Sequence, residues 1–209
     1  METNQNSLSL KIIYWITQIS FWIFVAAGLL MLGIAFGLIF NLINDDLNLH
    51  VVLPVSFALV DKGNLELLGR SIDVSFVEPY GKVHFTELPA SVGRAYGLFI
   101  LLVIGTFFYI FNAFRRFIVN VYKGMIFDIG NFRLLRNMAY GLLVFWIIIV
   151  FYSVLQNFMI AQHLTFDSLE YAGSMEFHTE VVFVALILLV LSHIFMQGIK
   201  LKEDNELTI

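Results

Sequence analysis

Four long apolar runs dominate the pattern of hydrophobic and polar positions along the chain. No Asp, Glu, Lys or Arg occurs in the 33 residues from 12 to 44, the 20 from 95 to 114, the 26 from 137 to 162, or the 19 from 181 to 199. About 20 apolar residues of helix cross a hydrocarbon layer roughly 30 Å thick. The pattern therefore predicts a membrane all-α bundle of four transmembrane helices.

Composition agrees with a membrane protein and excludes several classes of function. Apolar residues make up 59% of the chain and charged residues 13%, whereas a soluble domain is about 45–50% apolar and 25% charged. The absence of cysteine excludes disulfides, cysteine metal sites and thiol catalysis. The net charge of −4 gives no reason to expect direct nucleic-acid binding.

Basic residues predict how the chain is oriented. Four spans put both termini on one side, which carries eight Lys and Arg residues against four on the other. The positive-inside rule then predicts that both termini are cytoplasmic. We expect one membrane domain, 1–209, with spans at about 12–43, 95–117, 137–161 and 180–199, an extracytoplasmic insertion at 45–92, a cytoplasmic loop at 115–136 and a cytoplasmic tail at 200–209.

The insertion between the first two spans has alternating apolar and polar side chains. Alternation occurs at 51–59, 65–67, 72–76 and 83–85, and turn signals occur at 61–64 and 78–81. A period of two is typical of a strand with one buried face. We predict a small extracytoplasmic antiparallel β unit, a meander of three or four strands. It would act as a structural cap, or as a surface that senses a ligand or partner.

Histidines provide the candidates for metal binding and for intramembrane chemistry. Four fall on the outer side near acidic residues, but without the paired spacing of a metal motif, so we predict no metal and no cofactor. His193 is the ionisable residue inside a predicted span. It would form a hydrogen bond across helices or line the path of a small transporter or channel. The outer candidates are His50, His84, His163 and His178, with Asp167, Glu170, Glu176 and Glu180.

Small and polar residues in the spans predict helix contacts rather than catalysis. Gly33 and Gly37 form a GxxxG pair that permits close helix packing within the chain or in a homo-oligomer. Thr17 and Gln18 are expected to form hydrogen bonds between helices. No serine-hydrolase, P-loop or dinucleotide motif occurs, so an enzyme is the minority interpretation.

The inner loop and the C-terminal tail carry the most specific sequence. Gly124 is predicted to end the second helix and Asp128 to cap the third. Arg133 and Arg136 would then reach lipid phosphates or the carboxylates of a partner. The tail ends on apolar residues. We expect Leu207 and Ile209 to dock against the 124–136 turn, with Glu206 near an arginine.

The same two stretches resemble the domain-of-unknown-function family 2975. The residues that carry the resemblance are Gly124, Phe127, Asp128, Asn131, Leu135 and Arg136 in the inner loop, and Phe195, Gly198, Leu201, Glu203, Asp204, Leu207, Thr208 and Ile209 at the end. Ile126 stands where the family pattern often has proline. The resemblance implies a four-span bacterial inner-membrane protein with no established activity, and a small helix-turn-helix regulator as a partner.

Three functions follow, in order of preference. The first is a non-enzymatic protein that binds a protein or lipid partner and acts in regulation, sensing or envelope protection. The second is a small transporter or channel, and the third is a metal-dependent membrane enzyme. The candidate interaction motif is Gly124, Phe127, Asp128, Asn131, Arg133, Leu135, Arg136, Gly198, Glu206, Leu207, Thr208 and Ile209, with His193 as the intramembrane polar residue.

Overall fold

Four helices form the body of the protein. The computed structural model describes residues 8–42, 49–53, 62–67, 70–75, 81–85, 90–159 and 177–206. Its helices are α1 (Leu8–Ile39), α2 (Ala90–Tyr122), α3 (Ile129–Met159) and α4 (Thr179–Glu206). Each is long and apolar enough to cross a membrane, which confirms the four spans. The chain is a multi-pass membrane protein.

The end of α1 is set by an asparagine in the left-handed conformation. Asn41 has φ 54°, and the N–H of Leu42 donates to the carbonyl of Gly37 at 2.9 Å. This six-residue return bond is typical of a Schellman motif, which pairs carbonyls that a helix end leaves without partners. As a result α1 ends at Ile39, before the residue 43 predicted from the apolar run.

The predicted cytoplasmic loop is mostly helical. Residues 115–136 were expected to form the cytoplasmic loop, with the second helix continuing as far as Gly124 and Asp128 capping the third. In agreement, α2 continues to Tyr122 and α3 begins at Ile129. The loop is therefore the short segment 123–128, here called the α2–α3 turn. Charged residues do not end a helix by themselves, and no glycine or proline interrupts α2 between Gly105 and Gly124. The predicted tail is likewise helical as far as Glu206.

Both ends of the described chain lie beside the α2–α3 turn. The ring of Tyr14 on α1 stacks on that of Tyr122 with centroids 4.4 Å apart. A Cβ added at Gly198 on α4 would lie 2.6 Å from a ring carbon of Phe127 in the turn. We call this end of the bundle the turn end, and the opposite end, where α1 leads towards α2, the insertion end.

Glycines and aromatic rings hold neighbouring helices together. Against α1, Gly97 of α2 comes so close that an added Cβ would lie 2.8 Å from the carbonyl oxygen of Ala35. Between α2 and α3, the rings of Phe99 and Tyr152 stack with centroids 4.0 Å apart. Close backbone contacts follow chain order, α1 with α2, α2 with α3 and α3 with α4; in the described helices α1 makes none with α3 or α4.

The strands of the insertion do not form the predicted meander. They are β1 (Leu49–Leu53), β2 (Lys62–Leu67), β3 (Arg70–Ser75) and β4 (Gly81–Phe85), paired antiparallel as β1 with β4 and β2 with β3. Two separate two-stranded sheets result, so the predicted extracytoplasmic β unit is not supported among the described residues. The predicted turn at 61–64 is also wrong, since β2 begins at Lys62. Alternation identifies strands, but it does not choose their partners.

Candidate functional site

The α2–α3 turn begins with a glycine that ends α2. Gly124 has φ 82°, a conformation that a residue with a Cβ adopts only with strain. Its N–H donates to Val121 at 3.0 Å, and the N–H of Met125 donates to Asn120 at 3.0 Å. These two bonds complete a Schellman motif. The prediction that Gly124 ends the second helix is confirmed.

Asp128 forms the first cap of α3. Its Oδ1 accepts the N–H of Gly130 at 2.6 Å, and its carbonyl accepts the N–H of Asn131 at 3.0 Å. A carboxylate in this position pairs an otherwise unpaired N–H group and interacts favourably with the positive end of the helix dipole. The predicted cap is therefore confirmed.

Asn131 fastens the turn to both helices. Its side chain is fully buried. Its Oδ1 accepts a bond from the Nδ2 of Asn120 on α2 at 2.9 Å. Its own Nδ2 donates to the carbonyls of Met125 at 2.5 Å and Ile126 at 2.9 Å. Every polar atom of the amide has a partner, so this one side chain ties the backbone of the turn to α2 and α3.

Phe127 joins the inner motif to the motif near the end of the chain. Its ring packs on the bare backbone of Gly198, where a Cβ would clash, and lies 5.8 Å from the ring of Phe195. Leu135 is buried in the core with Ala113, and Phe195 packs against that core. The structure thus brings Phe127, Leu135 and Gly198 into one contiguous cluster.

The remaining motif residues face outwards or lie outside the described residues. Arg133 and Arg136 are exposed, and the guanidinium of Arg136 lies 5.2 Å from the ring centre of Phe132. Nothing in the structure tests their predicted lipid or partner contacts. The predicted docking of the tail falls on the side chain of Glu206 and on Leu207, Thr208 and Ile209, which are not described.

The surface of the turn combines apolar and basic side chains. Met125, Ile126 and Ile129 are each 44% exposed, and Lys123 and Arg133 are exposed beside them. We call these five residues the turn surface. Large apolar side chains at a loop tip are unusual unless they meet another molecule or the membrane interface. The sequence motif includes Phe127 and Asp128 but not the apolar residues around them, so this surface was not predicted.

A polar contact between α1 and α2 also went unrecognised. Arg115 donates from Nε to the Oε1 of Gln18 at 2.8 Å, and its guanidinium lies 4.4 Å from the ring centre of Phe21. Gln18 therefore bonds between helices as predicted. Thr17 does not, since its hydroxyl donates to the carbonyl of Ile13 on its own helix at 2.8 Å.

His193 does not make the predicted bond across helices. Its Nδ1 donates to the carbonyl of Leu189, one turn earlier on α4, at 2.8 Å. The residue is exposed on the outside of the bundle. It therefore does not line a path between the described helices, and the transporter interpretation loses the residue on which it depended.

The candidate metal ligands are only partly described. The register of β1 and β4 places His50 opposite His84, a pairing that sequence spacing did not reveal. His178 lies 3.0 Å from Glu180. Across the described ranges, no group of three or more histidine and acidic side chains is placed to hold a metal ion. The other candidates, His163, Asp167, Glu170 and Glu176, lie outside those ranges.

The two glycines of the predicted GxxxG pair, Gly33 and Gly37, have different surroundings in the structure. Gly37 is buried, but Gly33 has open space around it. The close approach of α1 and α2 uses Gly97 instead, which forms a second GxxxG pair with Gly93 on α2; both are buried. Homo-oligomer formation through Gly33 and Gly37 stays a prediction.

Comparison with known proteins agrees with the motifs. The model of the family described as "protein of unknown function (DUF2975)" matches residues 76–209, which include α2, the turn, α3 and α4. No curated protein and no solved structure matches the chain. The match covers well over half of the 209 residues. The chain therefore belongs to the DUF2975 family of proteins of unknown function.

Proposed function

We propose that the chain is a non-enzymatic protein of the bacterial inner membrane that binds a cytoplasmic protein through the turn surface and acts in regulation or sensing. The observation that carries the proposal is a turn held by its own hydrogen bonds with an exposed apolar tip. Asn131 fixes the backbone of the turn with bonds of 2.5 and 2.9 Å to two of its carbonyls. A preorganised surface loses little conformational entropy when it binds.

Charge supports the cytoplasmic placement of the turn. The side that would contain the turn and both termini carries eight basic and five acidic residues, a balance of +3, and the other side has a balance of −7. Short basic segments at span ends stay in the cytoplasm. Under this proposal the insertion at 45–92 is extracytoplasmic.

The chemistry of the turn surface defines the partner. Lys123 and Arg133 flank the apolar side chains of Met125, Ile126 and Ile129, and all five are exposed. A partner that fits has an apolar patch with acidic residues around it, because complementary charge speeds association and orients the complex. A small helix-turn-helix regulator is the candidate that the family resemblance implies.

Site-specific photo-crosslinking in native membranes tests the proposal. A photoreactive amino acid replaces Ile126 in the turn, and in the control it replaces Ile147, which is exposed on the apolar face of α3. We expect a discrete protein adduct from position 126 and lipid adducts alone from position 147. Arg133→Glu should weaken the adduct from position 126, because it reverses a charge beside the contact.

Two outcomes of the crosslinking experiment would refute the proposal. Lipid adducts alone from both positions would mean that the turn surface lies against the membrane interface. An adduct with a second copy of the chain would make the turn an oligomer contact. Either result removes the proposed cytoplasmic partner.

A further inference from the structure

An apolar groove runs between α2 and α4. Phe107, Phe114 and Phe117 line it from α2, and Leu191 and Phe195 line it from α4. Its volume is about 390 Å³, and every residue around it is apolar. Binding pockets for small molecules have volumes of about 300–1,000 Å³. The groove is therefore large enough for a ligand, and that ligand must be apolar where it lies against the helices.

The groove has the length of one lipid leaflet. From Phe107 to Phe117 there are ten residues, which correspond to about 15 Å of helix rise. This is half of the roughly 30 Å hydrocarbon layer. Phe107 stands near the middle of α2, which spans Ala90–Tyr122, so the groove extends from mid-membrane to the turn end. A transmembrane helix of a second copy would continue through both leaflets, whereas an acyl chain of one leaflet would not.

A partly buried arginine stands beside the groove at the turn end. Arg115 follows Phe111 by one helical turn, and Phe111 lines the groove. The rings of Phe111 and Phe21 lie 5.8 Å apart, and the guanidinium of Arg115 lies 4.4 Å from the centre of the Phe21 ring. The Nε of Arg115 donates a hydrogen bond to the Oε1 of Gln18 at 2.8 Å. The guanidinium is thus held on the ring of Phe21, which in turn contacts the groove residue Phe111.

The charge of Arg115 has no acidic partner in the part of the chain that the structure describes. A partly buried cation is costly unless an anion accompanies it. Gln18 is neutral and occupies only Nε, so the terminal N–H groups can bind two oxygens of one phosphate. The phosphate of a phospholipid lies at the end of its acyl chains, and Arg115 lies near the turn end of the groove, between Phe114 and Phe117.

We infer that the groove between α2 and α4 holds an acyl chain of an anionic phospholipid from the leaflet at the turn end, and that Arg115 binds the phosphate of this lipid. The site is separate from the turn surface. It does not depend on the proposed protein partner, and either proposal can fail without the other.

Native mass spectrometry of the full chain, delipidated in detergent, tests the inference. Phosphatidylglycerol is the probe, and diacylglycerol with the same acyl chains is the probe without phosphate. We expect one phosphatidylglycerol to bind each chain, and diacylglycerol to bind at least roughly tenfold more weakly, because charge-assisted hydrogen bonds are lost.

Two pairs of variants separate the phosphate contact from the groove. Arg115→Gln should weaken phosphatidylglycerol binding roughly tenfold, whereas Arg116→Gln, at an exposed neighbouring position, should not. Leu191→Trp fills the groove and should abolish binding. Leu186→Trp is the matched control, because Leu186 is exposed on α4 and does not line the groove. Should Leu191→Trp fail to fold, Leu191→Phe narrows the groove less and carries the same expectation.

Several results would overturn the inference. Equal binding of the two lipids would exclude the role of Arg115. Normal phosphatidylglycerol binding by Leu191→Trp and Leu191→Phe would exclude the acyl chain from the groove. A dimer of the unsubstituted chain that Leu191→Trp converts to a monomer would identify a second copy as the occupant.

Discussion

Asn131 and Gln156 are buried amides near opposite ends of α3, and they differ in how they are paired. Asn131 accepts a bond from Asn120 and donates to the carbonyls of Met125 and Ile126. The Nε2 of Gln156 is buried without an acceptor in the described part of the chain. The turn end is thus closed by its own polar network, whereas the amide nitrogen of Gln156 has no such network among the described residues.

The difference follows from what surrounds each amide. The partners of Asn131 all lie within residues 120–131, so one short stretch of chain completes the network. Gln156 lines a small cavity of about 30 Å³ with Tyr96, Phe99 and Tyr152. An unpaired amide in such surroundings has lost its hydration without compensation. Any acceptor for it must come from outside the described residues.

The largest predicted effect comes from breaking the turn network with Asn131→Ala. The change leaves the amide of Asn120 without its acceptor and the carbonyls of Met125 and Ile126 without their donor. Each buried polar group left unpaired costs about 1–3 kcal/mol, and these carbonyls are partly reached by solvent. We therefore expect the free energy of unfolding to fall by roughly 2–3 kcal/mol, measured by equilibrium unfolding in mixed micelles.

Asn137→Ala is the matched control for this prediction. Asn137 is half-buried on the same helix and takes part in none of the bonds of the turn network. Its replacement should change the free energy of unfolding by no more than about 0.5 kcal/mol. Equal losses for the two variants would show that the network does not stabilise the turn end.

The sequence was sufficient for the features of the turn that depend on near neighbours. Gly124 and Asp128 act on backbone groups within a few residues, so their types and spacing predicted both caps. The bond between Asn120 and Asn131 was not foreseen, because these residues meet only after α2 and α3 have turned back on each other. The end of α1 at Ile39 was missed because the apolar run continues past it: apolar runs mark the membrane, whereas caps mark the end of the helix.

The glycine pairs make the same point at the insertion end. Gly33 and Gly37 have the same spacing as Gly93 and Gly97, yet Gly33 is open and Gly97 is in tight contact. Spacing places two glycines on one helix face. Which face meets a neighbouring helix depends on how the helices are arranged, and no local pattern contains that information.

Gly97→Ala is the next largest predicted effect, and it tests whether close packing stabilises the insertion end. The new Cβ would lie 2.8 Å from both the carbonyl oxygen of Ala35 and a side-chain carbon of Ile39. The backbone of α1 cannot turn aside as a side chain can, so the two helices must separate. Overpacking of this kind costs about 1–3 kcal/mol, to be measured in the same unfolding titration.

Gly105→Ala gives the control on the same helix. Gly105 has open space around it, and alanine is a better helix former by about 1 kcal/mol. The free energy of unfolding of the Gly105→Ala variant should therefore stay the same or rise. If Gly97→Ala also left stability unchanged, the contact with Ala35 would not hold α1 against α2.

Gln156→Leu has the smallest predicted effect and returns to the two amides. The change removes a buried nitrogen that has no acceptor among the described residues and keeps an apolar side chain of similar size. We expect unfolding free energy to stay within about 1 kcal/mol of the original value or to rise. Gln18→Leu is the control, because its Oε1 accepts a bond from Arg115 at 2.8 Å. Loss of this hydrogen bond should lower the free energy of unfolding by about 1.5–3 kcal/mol, as for other hydrogen bonds to charged groups. A loss of that size for Gln156→Leu would show that an acceptor outside the described residues satisfies the amide, and the two ends of α3 would then be closed in the same way.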